Sequence, residues 1–264
     1  VEELAAVGEP VVVGGAEAKH LLRALRKSAG DQVILFDGRG GEFLAVIQAC
    51  RSREVVLQLE QQLEPRTEMP GHLVIAAALP QGDRQRFLIE KLVELGTHQF
   101  VPLVTHRCRV KPGRQHVEKF TRYVIEASKQ CGRSQLMTIS HPQGLDKLPH
   151  LEFQGNKYVW HPEDPAEASG KWVDGLETDP VASRPDPSCA TSSPVSEAKH
   201  LSGWHEWHAI GPEGGFTDSE IDCFARQGFR RRSAGSRILR IETAAIFAAS
   251  QFVARAENLS PQAE

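Results

Sequence analysis

Two glycine-marked strings near the C-terminus constrain this chain more than any other feature. The first reads Ile210-Gly211-Pro212-Glu213-Gly214-Gly215-Phe216-Thr217. The second reads Ala234-Gly235-Ser236-Arg237-Ile238-Leu239-Arg240-Ile241-Glu242-Thr243-Ala244-Ala245. Each leaves an apolar run, turns at glycine and enters a helical pattern. Glycine is required where a backbone must hug a ligand or turn with positive φ. Two such turns, about twenty residues apart, suit one ligand pocket built from two backbone loops, although ordinary strand-to-helix turns use the same residues. The first string is not a P-loop, because no Gly-Lys-Ser/Thr follows, and it lacks the G-x-G-x-x-G spacing of a dinucleotide fingerprint. It stands at a strand's carboxyl end, where open α/β sheets bind ligands.

The rest of the chain supplies such a sheet. Leu73–Leu79 is a continuous apolar run, as in a strand buried on both faces. Asp83 is placed to N-cap the next helix, whose Leu88, Ile89, Leu92, Val93 and Leu95 recur at helical spacing before Gly96. Strands are predicted at Phe100–Val104, Lys157–Trp160 and Glu206–Gly211. Helices are predicted over His116–Cys131, with Phe120, Tyr123, Val124, Ala127 and Cys131 on one face, and over about Thr243–Ala256. Thr217-Asp218-Ser219-Glu220 is a capping box opening a helix with Ile221 and Phe224. Strand–helix alternation implies a mainly parallel sheet with helices on both faces. Residues 10–60 differ: short strands at Pro10–Val13, Gln32–Phe36, Glu42–Gln48 and Glu54–Leu59, with a helical stretch over Ala16–Arg26, predict a small β-barrel domain. The expected division is residues 1–68 and 69–264. An exposed insertion is expected around residues 163–203, rich in Pro, Ser, Asp and Glu.

Composition narrows the classes. No run approaches the roughly 18 apolar residues of a membrane span, and the opening residues do not resemble a secretory leader. The five cysteines are odd in number, widely spaced and without a C-x-x-C pair, which fits a reducing cytoplasm. Net charge is −3, which argues against indiscriminate nucleic-acid binding. The charge is nevertheless segregated. Residues 81–140 hold eleven Lys/Arg against five Asp/Glu, and residues 226–240 hold six arginines and no acid. Residues 149–206 hold four Lys/Arg against ten Asp/Glu. Such separation is an electrostatic footprint of nucleic-acid contact, although solvated faces also carry charge runs. His200, His205 and His208 with Cys189 fit no closed zinc site, and no metal is expected. Trp204 and Trp207 suit base stacking or packing equally. Cys131 ends an apolar helix face with no reactive partner and is expected to pack.

Taken together, the two strings resemble the signature of RsmE-type RNA methyltransferases of the SPOUT class. The resemblance extends to His20-Leu21 with Leu25-Arg26 and Gly30-Asp31, to Glu90-Lys91 with Glu94-Leu95-Gly96, to Arg107-Cys108, to Glu126-Ala127 and to Gln130-Cys131-Gly132-Arg133. Ala234 and Ser236 are departures from the family's usual Leu and Pro, both small changes in a backbone-lined loop. The resemblance implies a PUA-like N-terminal barrel that binds RNA and a knotted α/β domain that forms a homodimer. It implies S-adenosyl-L-methionine as cofactor and N3 of a uridine in small-subunit ribosomal RNA, free or in the ribosomal subunit, as the methyl acceptor. The deep trefoil knot rests on resemblance alone, since knots are nearly absent from proteins. The cofactor would contact Ile210, Gly211, Pro212, Glu213, Gly214, Gly215, Ala234, Gly235, Ile238, Leu239 and Arg240. Another RNA position, such as a ribose 2′-hydroxyl, and a catalytically silent RNA-binding module are the alternatives.

Methyl transfer from a sulfonium is an in-line displacement, and uridine N3 is a poor nucleophile until its proton leaves. A base, or a cation stabilising charge on the uracil carbonyls, assists. Arg240 and Glu242 beside the second loop are the catalytic candidates: Arg240 for RNA or carbonyl stabilisation, Glu242 for orientation or proton acceptance. Glu242 also suits a helix-dipole role in a first turn. Arg23, Arg26 and Lys27 at the end of the first helical stretch, the basic loop of Arg107, Arg109, Lys111 and Arg114, and Arg133 are candidates for phosphate contacts, which position RNA without reading its sequence.

Overall fold

The computed structural model describes residues 7–64, 67–148, 155–162 and 205–259. The expected insertion at 163–203, with Cys189, His200 and Trp204, lies outside the described residues. The chain divides into two compact units, one of Val1–Glu68 with Lys119–Thr138, the other of Met69–Glu118 with Ile139–Glu264.

The first unit carries four antiparallel strands, β1 (Pro10–Gly14), β2 (Gln32–Phe36), β3 (Glu42–Cys50) and β4 (Glu54–Leu63), in the order β1-β4-β3-β2. Alternation fixes the buried face: Val11 and Val13, Ala45 and Ile47, and Val55, Leu57 and Leu59 point to one core with Ala18 and Leu21. Among the described residues no ladder joins β1 to β2. The four strands make one small antiparallel sheet, in keeping with the β-rich domain that sequence spacing predicts. The helical stretch differs. Helix α1 (Gly15–Lys19) passes into a π turn over His20–Ala24, and Arg26 takes a positive φ of 51°. That conformation is uncommon for a non-glycine residue and ends the helix abruptly.

The second unit is built on a mainly parallel sheet. Its strands are β5 (His72–Ala77), β6 (Gln99–Val104), β7 (Thr138–Ile139), β8 (Gln143–Gly144), β9 (Asn156–Trp160), β10 (His205–Ile210) and β11 (Arg230–Arg232). The order is β11-β9-β10-β5-β6-β7, with β8 paired beside β6. Helix α2 (Arg84–Glu94) buries Leu88, Ile89, Leu92 and Val93, each worth about 1.5–3 kcal/mol of apolar burial. Asp83 holds its N-cap position but makes no side-chain capping bond, because its own backbone is already helical. Helix α3 (Arg114–Cys131), which from Lys119 onwards belongs to the first unit, buries Phe120, Val124 and Ala127. Tyr123 and Cys131 are only half-buried on that helix.

Helices α4 (Asp218–Arg226) and α5 (Ile241–Leu259) follow the two glycine strings. Ile221 and Phe224 of α4 pack with Val74, Ala76, Trp207 and Ala209 in one core, so Trp207 is a packing residue. Helix α5 packs on β5, β10 and α2. Its buried Ala245, Ala248, Ala249, Phe252 and Ala256 recur at helical spacing, and the small alanines let it lie close to the sheet.

Candidate functional site: a cavity at three strand ends

Three neighbouring parallel strands stop at one level. Ile210 at the end of β10 is in register with Trp160 at the end of β9, and Trp160 with Arg232 at the end of β11. The loops that leave these strands must therefore emerge together, as ligand loops do in α/β sheets. They enclose about 620 Å³ of unfilled space, counting its solvent-open mouth. The β9 loop lends Trp160, His161 and Pro162; the β10 loop Ile210, Gly211, Pro212, Glu213, Gly215 and Phe216; the β11 loop Ser233, Ala234, Gly235, Arg237, Ile238 and Leu239. Ile241 and Ala244 of α5 complete the wall.

Two glycines show why these strings read as they do. A Cβ on Gly211 would stand 3.1 Å from the Phe216 ring, which is buried in the core against Phe224. Gly235 turns with φ +89°, a conformation side chains rarely adopt. The first loop is also tied down from outside. Thr217 and Glu220 form the expected reciprocal capping box of α4. The other oxygen of Glu220 accepts the His106 backbone N–H at 2.8 Å. Arg107 donates to the Gly214 carbonyl at 2.7 Å. The segment after β6 thus buttresses the glycine loop.

Of the sequence-predicted cofactor residues, all line the cavity except Gly214 and Arg240. Arg240 is exposed, and its carbonyl accepts the Ala244 N–H at the start of α5. Glu242 is buried in the first turn of α5 and flanks the cavity without lining it. Its Oε1 lies 3.6 Å from Arg84, which also reaches Glu213 at 3.9 Å. Its Oε2 is buried without a hydrogen-bond partner. Arg84, in the first turn of α2, and the whole β9 loop are contributions that sequence reasoning missed. Only the end of a predicted strand at Trp160 pointed towards that loop.

Beneath the cavity lies a buried polar row on the sheet face that α5 covers. Trp160 Nε1 donates to His208 Nδ1 at 2.9 Å. His208 Nε2 lies 2.8 Å from Glu206 Oε2, which also accepts from Arg255 at 2.5 Å. Since Nδ1 accepts the indole proton, it is bare, and the imidazole is neutral with its proton on Nε2. Complete burial pushes the His208 pKa below its ordinary value, outweighing the attraction of Glu206. Burial alone would raise the Glu206 carboxyl. The hydrogen bonds and charge of His208 and Arg255 overcome it and hold the carboxyl below the usual range.

The RNA candidates part company. Arg23, Arg26, Arg109 and Lys111 are exposed, and Lys27 turns its ammonium to the Gln32 carbonyl at 3.3 Å. Arg107 is exposed but engaged with Gly214. Arg133 is only 3% exposed and gives Nε and Nη2 to Glu68 Oε2 at 3.2 and 3.0 Å. Its guanidinium is paired with Glu68 within the first unit. Among the described residues no three His, Cys, Asp or Glu side chains gather to hold a metal ion, and no helix is long and apolar enough to cross a membrane.

Fold and cavity together define an α/β protein that takes a ligand between backbone loops at the carboxyl ends of its strands. An RNA methyltransferase domain family matches residues 67–253, and an RNA methyltransferase PUA domain family matches residues 13–60. The chain is 30% identical to ribosomal RNA small subunit methyltransferase E of Synechocystis over 94% of its own length and 74% of that protein's. It is 27% identical to the Bacillus subtilis protein of the same name, over 94% and 91%. A Legionella pneumophila methyltransferase solved with bound SAM superposes with a TM-score of 0.75 at 30% identity, covering 96% of this chain and 95% of that one. The chain belongs to this family of RNA methyltransferases, which carry a PUA domain ahead of the methyltransferase domain.

Proposed function

We propose that this chain transfers the methyl group of S-adenosyl-L-methionine to N3 of a uridine in small-subunit ribosomal RNA. The observation that carries the reading is the cavity at the ends of β9, β10 and β11, walled by the two glycine strings. Its residues suit the cofactor: the strings offer main-chain polar groups where a side chain would block approach, between apolar walls such as Trp160, Ile210 and Leu239. The Legionella pneumophila relative was solved with SAM bound. The relatives' names supply the small-subunit RNA, and the N3 position is the one the resemblance implies. When bound, the cofactor supplies an electrophilic methyl group.

The chain's own residues supply the rest. The clamped Gly211–Gly215 loop fixes the cavity before ligand arrives, so little ordering cost remains. Arg240, exposed beside the second loop, is assigned to uracil-carbonyl or phosphate stabilisation as N3 loses its proton. Glu242 is assigned to orientation or proton acceptance. Its ion pair with Arg84, which also faces Glu213, supports orientation, because it links the first loop to the start of α5. The N-terminal domain over residues 1–68, with Arg23, Arg26 and Lys27, grips RNA, and the domain from 69 onwards performs transfer. Arg109 and Lys111 add phosphate contacts. We assign a cytoplasmic homodimer with a knotted cofactor site. Exposed Ile238, 84% accessible at the cavity rim, and exposed Phe247 support a protein contact there.

Calorimetric titration with SAM tests the cofactor reading, with Gly211→Val as control and its fold checked by circular dichroism. Saturable binding that the variant loses is the expected result. No binding by the wild-type protein, with or without ribosomal RNA, would overturn it.

A further inference from the structure

Glu206 and His208 do not belong to either glycine string, yet the sheet buries them behind the cavity, with half-buried Arg255 of α5 paired to Glu206. A buried ion pair adds little net stability over apolar packing of the same volume. What such a row does supply is direction, because each member has one partner geometry. Its outer end is the indole of Trp160, a wall of the cavity. Trp160 is the last residue of β9. Its ring stacks on His208 at 5.9 Å and meets Phe247 edge-on at 5.6 Å. The 2.9 Å bond to His208 Nδ1 fixes which edge of the indole points inward. Glu206 in turn fixes the imidazole tautomer by accepting from Nε2, and Arg255 holds Glu206.

We infer that Trp160 is a positioning residue of the cofactor cavity, its ring locked by buried His208 and Glu206, with Arg255 holding Glu206. The inference rests on the reading that the cavity holds SAM. A free indole could swing on χ1 and χ2 and fill the space the ligand needs. A locked one presents a constant apolar face beside Ile210 and Pro212.

The test is calorimetric titration of the full chain with SAM and with S-adenosylhomocysteine, on wild type, Trp160→Phe, His208→Leu, His208→Asn and the Trp160→Phe/His208→Leu double variant. Each of the first two variants is expected to raise both dissociation constants about tenfold, the scale of one buried hydrogen bond. The double variant is expected to be no worse than either single one, since both break the same lock. His208→Asn should recover binding to within about threefold of wild type, because its side-chain oxygen stands where Nδ1 accepts the indole proton. Wild-type affinity in Trp160→Phe and His208→Leu, or additive losses in the double variant, would overturn the inference. Should His208→Leu fail to fold, Trp160→Phe alone decides. Absence of binding by wild type would instead refute the cofactor reading beneath it.

Discussion

Replacing Glu68 by Ala asks whether Arg133 serves the fold or the RNA. Glu68 Oε2 accepts both Nε and Nη2 of Arg133, and Oε1 accepts the backbone N–H groups of Ser134 at 3.0 Å and Gln135 at 2.8 Å. Arg133 and Ser134 are buried and Glu68 is half-buried. Truncation removes the carboxylate that neutralises a buried guanidinium and strips two amides of their acceptor. Breaking such a pair from one side costs about 3–5 kcal/mol. Both residues belong to the smaller first unit; for a unit of roughly 60–100 residues each kcal/mol moves the midpoint about 4–8 °C, so Glu68→Ala should melt that unit roughly 12–40 °C lower. Glu68→Gln keeps one acceptor for the amides and should fall between. The assay is thermal unfolding followed by circular dichroism, beside filter binding of ribosomal RNA by Arg133→Lys. A Glu68→Ala protein that melts with wild type, together with an Arg133→Lys protein that loses RNA affinity, would refute the structural role given to Arg133.

Three further outcomes are expected. Glu242→Gln should lower methyl transfer by about a hundredfold while leaving SAM affinity within about threefold of wild type; full activity would remove Glu242 from the mechanism. Thr217→Ala breaks the capping box and should cost about 1 kcal/mol in urea unfolding, and an unchanged midpoint would show that Glu220 holds the loop alone. Stability should fall as pH drops below about 6.5, because burial lowers the folded pKa of His208 and of His72. The unfolded chain then binds protons that the folded one refuses, at a slope of up to about 1.4 kcal/mol per pH unit for His208. Glu206, Arg255, Arg232, Tyr158 and Trp160 surround His208, and the lowered Glu206 carboxyl stays ionised through that window. Urea midpoints that do not move between pH 7.5 and 5.5 would contradict this.

Local chemistry carries much of the fold. The run at Leu73–Leu79, the helical spacing from Leu88 to Val93 and the box at Thr217–Glu220 each declare an element within their own residues. Strand β11 escapes, because Arg230–Arg232 has no apolar residue and exists as a strand only by pairing with β9. The insertion of β10 between β9 and β5 is likewise set by packing across the whole chain. The same division holds at the site. The glycine strings announce two of the three cavity loops through their backbone demands. Trp160, His161 and Pro162 carry no such mark, since their place depends on which strands β9 joins. Arg133 looked available because its partner Glu68 lies 65 residues away in sequence. His208 read only as one of a histidine set that fits no closed zinc site, and Glu206 only as the start of a strand, until strand pairing placed both on the face that α5 covers.

The central claim is the reaction itself. Purified protein would be incubated with isotopically labelled SAM and small-subunit ribosomal RNA, or the assembled subunit. The RNA would then be digested to nucleosides and the labelled product identified by mass spectrometry. The account predicts label in N3-methyluridine and none when Arg240→Ala/Glu242→Gln replaces the wild type. Label in a 2′-O-methylated nucleoside, or no label on either substrate from a protein that binds SAM, would contradict it.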